Sequence, residues 1–563
     1  MKTELPIPLQ PKMRRELAAA EHGPGAGHPG GGSLRVALVY PHSYAVGMSS
    51  LGFQIALQTL RALDDVSVER FFTDTMHGGA LESGALLGEF DIIAFSAAYE
   101  MDDPLVLEVL ASAGLALEAR ERSLARVGRY PCPLVVHGGV LISVNRAPLY
   151  PFIDAFAHGE AELLLPTLVA AVRAHGLTLA ARGDLLAALA QQPGWEVTAG
   201  AKAAAGLPLS DAEAALLDAY ALDGVDMLPA PPAPERAIMP VITGHPFTSS
   251  ILTPNTEFNN MALVDLARGC PHHCTFCWVG HAAPAYRTRP LDEILAGIER
   301  LQPYTQKFGL VASAVGAHPQ IDELCTELMH RGLKVSYSSL RVEEVSDTML
   351  HALAAGGGKS VTIAPEAGAV RVRKLLGKRI SDEQIFAVAE KIFSLGAENL
   401  KMYFMTGIPS ETDDEALEIA RFTEKIRALM LKWGRPRGRI GTLGVNLGIF
   451  VPKPELPLNH IEPVAFEHVK RRLKLVMKAL ARIPNTHVNA SSPELARAQA
   501  VLSMGGIESG RFALAVRQHG YNWRAAVREW DQRHDAEFAW HSTPRLPASR
   551  LTRSLLHGAI TAK

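Results

Sequence analysis

Residues 262–289 read ALVDLARGCPHHCTFCWVGHAAPAYRTR: an apolar run, ALVDLAR, leads directly into a loop holding Cys270, Cys274 and Cys277 with the spacing C-x3-C-x2-C. A short apolar run bounded by turn residues reads as a strand. Three thiols within eight residues, in a chain with 5 cysteines, argue for metal binding rather than a disulfide framework. Three thiolates suffice to hold three irons of a cubane and leave the fourth open to another ligand. The loop also fits a structural zinc ion, with His272, His273 or His281 completing a Cys3His tetrahedron. Against zinc, the sequence has no second CxxC to supply the usual separated pair of ligands. Cys132 and Cys325 stand alone and read as small buried residues.

Downstream, the runs FGLVASA (308–314), KVSYSSLR (334–341), SVTIAP (360–365), NLKMYFMTG (399–407) and LGVNLGIFVP (443–452) are each followed by a helix-like segment. With residues 262–268 they make the six strands of a partial (β/α)6 TIM-like barrel over 258–462, a fold whose chemistry lies at the strands' C-terminal ends. Upstream, LRVALVYP (34–41), FDIIAFSAA (90–98) and CPLVVHGG (132–139) alternate with helical patterns. That alternation predicts a parallel-sheet, Rossmann-like α/β domain over 34–175. Residues 1–33, with EHGPGAGHPGGGS at 21–33, read as a flexible lead. Residues 176–257 read as a helical segment closed by the linker LPAPPAPERAIMP (228–240), and 463–563 as a helical C-terminal extension. The fold class is α/β.

A chain of 563 residues has room for three or four folding units and a buried site. Its 48% hydrophobic and 20% charged residues are those of a soluble globular protein. With 56 basic against 58 acidic side chains, the net charge of -2 gives no global attraction for nucleic acid. The opening MKTELPIPLQPKMRREL lacks the apolar stretch of a secretory signal, and no run approaches the length that spans a bilayer, so a cytoplasmic location is expected.

The cysteine spacing, with Phe276 in the aromatic place before the last cysteine, resembles the signature of the radical S-adenosylmethionine (radical SAM) superfamily. The runs TIAPEAGAVRVRKLLGK (362–378), YFMTGIPSETDDE (403–415) and FVPKPELP (450–457) resemble successive strand ends of that superfamily's partial barrel, with GIPSET similar to its GLPGET-like turn. Together with PHSYAVGMSSLG (41–52) they resemble a branch carrying an N-terminal cobalamin-binding-like domain, over roughly residues 34 to 460. The resemblance implies a 4Fe-4S cluster on Cys270, Cys274 and Cys277 whose open iron chelates S-adenosylmethionine, which one-electron reduction cleaves to a 5'-deoxyadenosyl radical.

It further implies cofactor contacts from Phe276, Ser313, Ser339, Arg341, Glu366 and Arg371. Ser313, Ala314 and Gly316 are placed near the methionine end, although VASAVGAH departs from the superfamily's Gly-rich motif there. Ser338, Ser339 and Arg341 end the third strand, and Arg341 is suited to gripping a carboxylate bidentately. Glu366 and Arg371 correspond to contacts with ribose or the cofactor carboxylate, while Gly407 and Pro409 make a turn. Arg287 and Arg289 are either solvated surface charges or part of the site. In the first domain, Gly138 and Gly139 either let the nucleotide tail of cobalamin pass close to backbone or make a tight strand-to-helix turn. The D-x-H-x-x-G pattern that supplies a cobalt ligand is absent, because position 40 is Tyr, so any cobalamin would lack a ligand from His42.

The function expected from the resemblance is a radical SAM enzyme acting on an unreactive C-H position, with cobalamin-dependent methylation as its finer form and a flavodoxin or ferredoxin as electron donor. The alternatives are a zinc-stabilised binding module without catalysis, a redox relay, and a radical SAM enzyme that uses no cobalamin.

Overall fold

The computed structural model describes residues 11–27, 32–122, 126–127, 130–221, 228–282, 284–338, 340–461 and 464–534. They fall into two compact units, one of residues up to 260 together with 501–534, the other of residues 261–500.

The first unit is built on β1 (Leu34–Tyr40), β2 (Val66–Phe72), β3 (Ile92–Ser96), β4 (Leu134–Gly138), β5 (Ala155–Ala157) and β6 (Trp195–Val197), in the order β2-β1-β3-β4-β5-β6. All neighbours pair in parallel except β6, which runs antiparallel to β5 at the edge. Helices such as Leu51–Arg61 and Ala161–His175 pack Phe53, Leu57, Leu164 and Leu168 against the sheet residues Val36, Leu38 and Val68. With apolar cover on the sheet, β1 is buried along almost its whole length, and LRVALVY reads as a continuous apolar run.

Three details depart from the sequence reading. The lead contains a helix, Pro11–Ala19, whose Arg14 is buried and donates to the carbonyls of Ala80 (2.9 Å) and Leu81 (2.6 Å). The sheet continues past residue 175, because Trp195 in β6 is buried with its indole N–H on Thr167 Oγ1 at 2.9 Å. Finally, the extension beyond 463 is divided between the units. Residues from 501 complete the first one, where Asn145 Nδ2 donates to Leu502 O at 2.8 Å, Ser503 Oγ to Glu100 Oε1 at 2.9 Å, and Arg517 Nε to Glu108 at 2.7 Å.

The second unit runs in chain order through β7 (Ala262–Asp265), β8 (Lys307–Val311), β9 (Lys334–Tyr337), β10 (Ser360–Glu366), β11 (Asn399–Thr406), β12 (Thr442–Ile449) and β13 (Thr486–Ala490). Parallel pairing joins β7-β8-β9 and β10-β11-β12-β13, and a parallel bridge from Leu340 to Ile363 links the two groups. The six expected strands are present. A seventh, β13, lies in the stretch read as helical; its residues alternate between half-buried and exposed, so it carries no apolar signal.

His137 in β4 is a polar side chain in the first unit's core. It is fully buried between Phe95 and Phe156, with ring centroids 5.9 and 6.2 Å away. Neither ring nitrogen is paired in good geometry, and burial pushes the imidazole down to about 3, offset only slightly by the Gly138 backbone. In the unfolded chain a histidine titrates near about 6.5. The unfolded state therefore binds the extra proton between those values, and stability that is complete above the upper one is lost as the pH falls through the window. His137→Phe is expected to stabilise the protein by roughly 2 kcal/mol more at pH 5 than at pH 8. Denaturant unfolding at the two pH values checks this, and equal gains at both would refute it.

Candidate cofactor site at the cysteine loop

The loop that follows β7 is closed at its base and pinned at its centre. Ala267–Arg268 pairs antiparallel with Arg287–Thr288, bringing the two ends of the loop together. Gly269, just inside, has φ +79°, and a Cβ there would lie 2.5 Å from Pro284 O, so the position requires glycine. Beneath the base, Arg289 is fully buried, with Nη1 on Glu293 at 2.9 Å and Nε on Asp265 O at 3.3 Å. That residue is a brace, not a surface charge. At the centre, Thr275 donates from its backbone N–H to Leu376 O (3.2 Å) and from Oγ1 to Leu375 O (2.8 Å), fastening the loop to the segment after β10. Phe276 packs against the apolar cluster of Val372, Leu376, Ile408, Phe450 and Leu458, and so anchors the loop by burial.

Cys274 is buried, while Cys270 and Cys277 are half-buried. Burial pushes both half-buried thiols up, and Cys277 and Cys274 add to the rise at Cys270. Among the described residues no three His, Cys, Asp or Glu side chains converge as a preformed cage for a single ion. Each histidine of the loop already has a ring nitrogen engaged. His281 Nε2 meets Cys274 O at 3.0 Å, His273 Nδ1 meets Gly280 O at 2.8 Å, and His272 Nε2 meets the Glu344 carboxylate.

Polar groups from neighbouring strand ends surround the thiols. Arg341, just beyond β9, donates from Nη1 to Cys274 Sγ at 3.2 Å. Burial alone would lower its basicity, but the Cys274 sulfur and Glu343 outweigh that and hold the guanidinium charged. Glu366 closes β10 with a positive φ of 68°, after a register shift against β11 between Ile363 and Glu366. A bulge of this kind re-aims a side chain, and the strained backbone is the kind found at ligand sites. The Glu366 carboxylate lies 3.5 Å from Lys378 Nζ and near enough to Cys277 to disfavour its thiolate. Burial pushes Glu366 up, against the opposing pull of Lys378 and Arg341. Three buried polar atoms here have no hydrogen-bond partner: Tyr286 Oη, Glu344 Oε2 and Arg341 Nε. Tyr286 is raised to about 12 by burial, then by the charges of Glu344 and Cys270. Orphaned donors and acceptors beside clustered thiols are what a site for a polar, charged cofactor leaves behind in the protein alone.

The other expected residues are dispersed. Ser313 is exposed just beyond β8, and Ser339 lies outside the described residues. Arg371 is half-exposed and committed to Glu415 (2.5 and 2.8 Å) and to Ser410 O (2.8 Å). These contacts brace the GIPSET turn, in which Gly407 has φ +79° and its N–H donates to Glu411 Oε2 at 2.9 Å. Tyr286, Glu344 and Lys378 were not foreseen, because no spacing distinguishes them from solvated polar residues. Lys453, beyond β12, has its amine lowered to about 7 by burial.

In the first unit, Gly139 has φ +98°, and a Cβ there would sit 2.4 Å from Ala97 O, so its glycine serves the strand-to-helix turn. Gly138 differs. Its nearest neighbour to an added Cβ is Ala157 at 3.6 Å, and it lines a cavity of about 60 Å³ with Ser96, Gly159, Leu165 and Trp195 at the C-terminal ends of β3 and β4.

Comparison with known proteins agrees with this arrangement. Residues 264–423 match the family model of the radical SAM superfamily, and residues 52–197 that of the N-terminal region of radical SAM proteins. An uncharacterized protein of Methanocaldococcus jannaschii is 25% identical over 453 residues, 79% of this chain and 83% of its own length. The tRNA-2-methylthio-N(6)-dimethylallyladenosine synthase of Thermotoga petrophila is 24% identical over 237 residues, 39% of this chain and 50% of that protein. The structure of the cobalamin-dependent S-adenosylmethionine radical enzyme OxsB, with aqua-cobalamin and S-adenosylmethionine bound, matches with a TM-score of 0.50 at 16% identity, covering 71% of this chain and 53% of that one. That last likeness is one of fold. Members of the superfamily use a 4Fe-4S cluster and S-adenosylmethionine. With its cysteine loop at the first strand end of a parallel barrel and both matching regions in order, the chain belongs to the radical SAM superfamily and is an enzyme of that class.

Proposed function

We propose that the protein cleaves S-adenosylmethionine reductively at a 4Fe-4S cluster held by Cys270, Cys274 and Cys277, and uses the product to methylate an unreactive carbon with cobalamin held by the first unit. The observation that carries the cluster reading is the pinned C-x3-C-x2-C loop, set beside Arg341, Glu366 and the unpaired Tyr286 Oη. Three cysteines on one loop, with no second CxxC to supply the usual separated pair of ligands, favour a cluster over a Cys3His zinc site.

When bound, the cluster and S-adenosylmethionine supply a 5'-deoxyadenosyl radical, and cobalamin a transferable methyl group. The chain's own part is to bind, orient and shield. Three thiolates would leave one iron of a bound cluster open, and Phe276 fastens the loop to the strand ends, with Glu366 close enough to act on Cys277. Glu366, fixed by the β10 bulge and charge-balanced by Lys378, is an acceptor for cofactor hydroxyl or ammonium groups. A flavodoxin or ferredoxin is the class of donor that delivers single electrons at the required potential. The cobalamin reading is supported by the open approach to the Gly138 backbone and by the exposed apolar side chains of Val46, Tyr99 and Val140 on the segments that follow β1, β3 and β4. His42 has its Nδ1 occupied by the Ser43 N–H at 2.8 Å, in keeping with cobalamin held without that ligand.

Anaerobically reconstituted protein is expected to be brown, with the iron and sulfide of one cluster, and to release 5'-deoxyadenosine and methionine on reduction with S-adenosylmethionine. Each of Cys270→Ala, Cys274→Ala and Cys277→Ala should lose that iron, and a colourless protein holding one zinc overturns the reading. Glu366→Gln is expected to weaken S-adenosylmethionine binding by about tenfold with iron content unchanged, the effect of one charge-assisted hydrogen bond; unchanged affinity in equilibrium titration removes Glu366 from the site. Hydroxocobalamin should stay with the protein through gel filtration, and Gly138→Val, which fills the cavity, should lose it. If the parent protein retains no corrinoid, the methylation reading fails while the cluster reading stands.

A further inference from the structure

Arg341 is held on three sides. Nη1 donates to Cys274 Sγ at 3.2 Å, Nη2 pairs with the Glu343 carboxylate, and Nε lies 3.9 Å from Glu344 Oε1, whose carboxylate also meets His272 Nε2. Both acids belong to the 3-10 turn Val342–Glu344 that follows Arg341 directly, so the guanidinium is positioned by its own segment. Its side chain is 12% exposed, and Cys274 is the most buried of the three loop cysteines. With Nη1 on Cys274 and Nη2 on Glu343, only Nε is left without a hydrogen-bond partner, so the guanidinium has no free pair of parallel N–H groups for the bidentate carboxylate grip its strand-end position first suggested. What it does offer is a fixed N–H aimed at a sulfur.

We propose that Arg341 is a positioning residue of the cluster, donating a hydrogen bond to the Cys274 thiolate and thereby raising the cluster's reduction potential. The inference rests on the reading of Cys274 as a cluster ligand. Reduction adds one negative charge to a cluster whose ligand sulfurs already carry excess electron density. A hydrogen bond or cation at a ligand sulfur stabilises the reduced form more than the oxidised form. Glu343 and Glu344 stand behind the guanidinium, and its removal would leave their charge facing the cluster, which moves the potential in the same direction.

The test is a potentiometric titration of reconstituted Arg341→Met, followed by the electron paramagnetic resonance signal of the reduced cluster, with S-adenosylmethionine affinity measured alongside. The expected result is a reduction equilibrium about tenfold less favourable than in the parent, a midpoint lower by about 59 mV for a one-electron couple, with unchanged affinity for S-adenosylmethionine. Arg341→Lys, which keeps the charge but not the planar fork, should fall between the two. A midpoint equal to the parent's overturns the proposal, most clearly if S-adenosylmethionine binding is lost instead, since that would mark Arg341 as a cofactor grip. If the parent takes up iron and neither variant does, Arg341 assembles the site rather than tunes it, and the proposal falls. A parent that takes up no iron overturns the cluster reading itself.

Discussion

Parallel pairing in strict chain order is the constraint on which the second unit's chemistry depends. β7 to β9 and β10 to β12 each pair in parallel in chain order, and the parallel bridge from Leu340 to Ile363 joins the two groups, so the C-terminal ends lie along one side. Residues 265, 341, 366 and 407 are far apart in sequence and are brought to that side by hydrogen-bond register alone. The cysteine loop then needs only local fastening: Thr275 on the carbonyls of Leu375 and Leu376, and Phe276 in the cluster built around Val372 and Leu376. The carbonyls that hold Thr275 and part of the cluster around Phe276 come from the segment directly after Glu366, while Ile408, Phe450 and Leu458 complete that cluster from the ends of β11 and β12.

The first unit is organised by buried charge as well as by apolar packing. Asp154 is completely buried between Arg122 (3.0 Å) and Arg182 (2.7 Å), and its second oxygen also accepts the Val135 N–H at 2.8 Å. In β2, Arg70 is enclosed by Glu21 at 2.7 Å and Glu82 at 2.6 Å. Such groups are costly to desolvate, and removing one partner leaves an uncompensated charge. They tie together segments that apolar contact alone would leave free to slide, including the chain at residue 21.

These buried ions also explain which parts of the fold were legible in the sequence. β1 and β4 were visible as apolar runs because they are covered by apolar groups. β2, VSVERFF, was not, because Glu69 and Arg70 in its middle read as surface, although the whole strand is buried. β6 and β13 were missed for the opposite reason: one is three residues long beside Ala-rich helices, the other half-exposed. At the site, cysteines announce themselves by spacing, whereas Glu344, Tyr286 and Lys378 gain meaning only from the strand ends that surround them. Arg341 and Glu366 were legible as strand-end charges, but the sulfur partner of one and the bulge beneath the other exist only in three dimensions.

The first unit is made from two stretches of chain separated by the whole of the second. Helix Ser509–Gln518 packs against helix Asp103–Ser112, and Ser503 closes on Glu100, some four hundred residues earlier. During synthesis the ribosome therefore delivers the barrel before the last helices of the sheet domain exist, although domains generally fold as units as they emerge. The sheet domain must wait, incomplete and with apolar surface uncovered, until the barrel has been made. That order makes the nascent chain, rather than the finished protein, the form most in need of a chaperone.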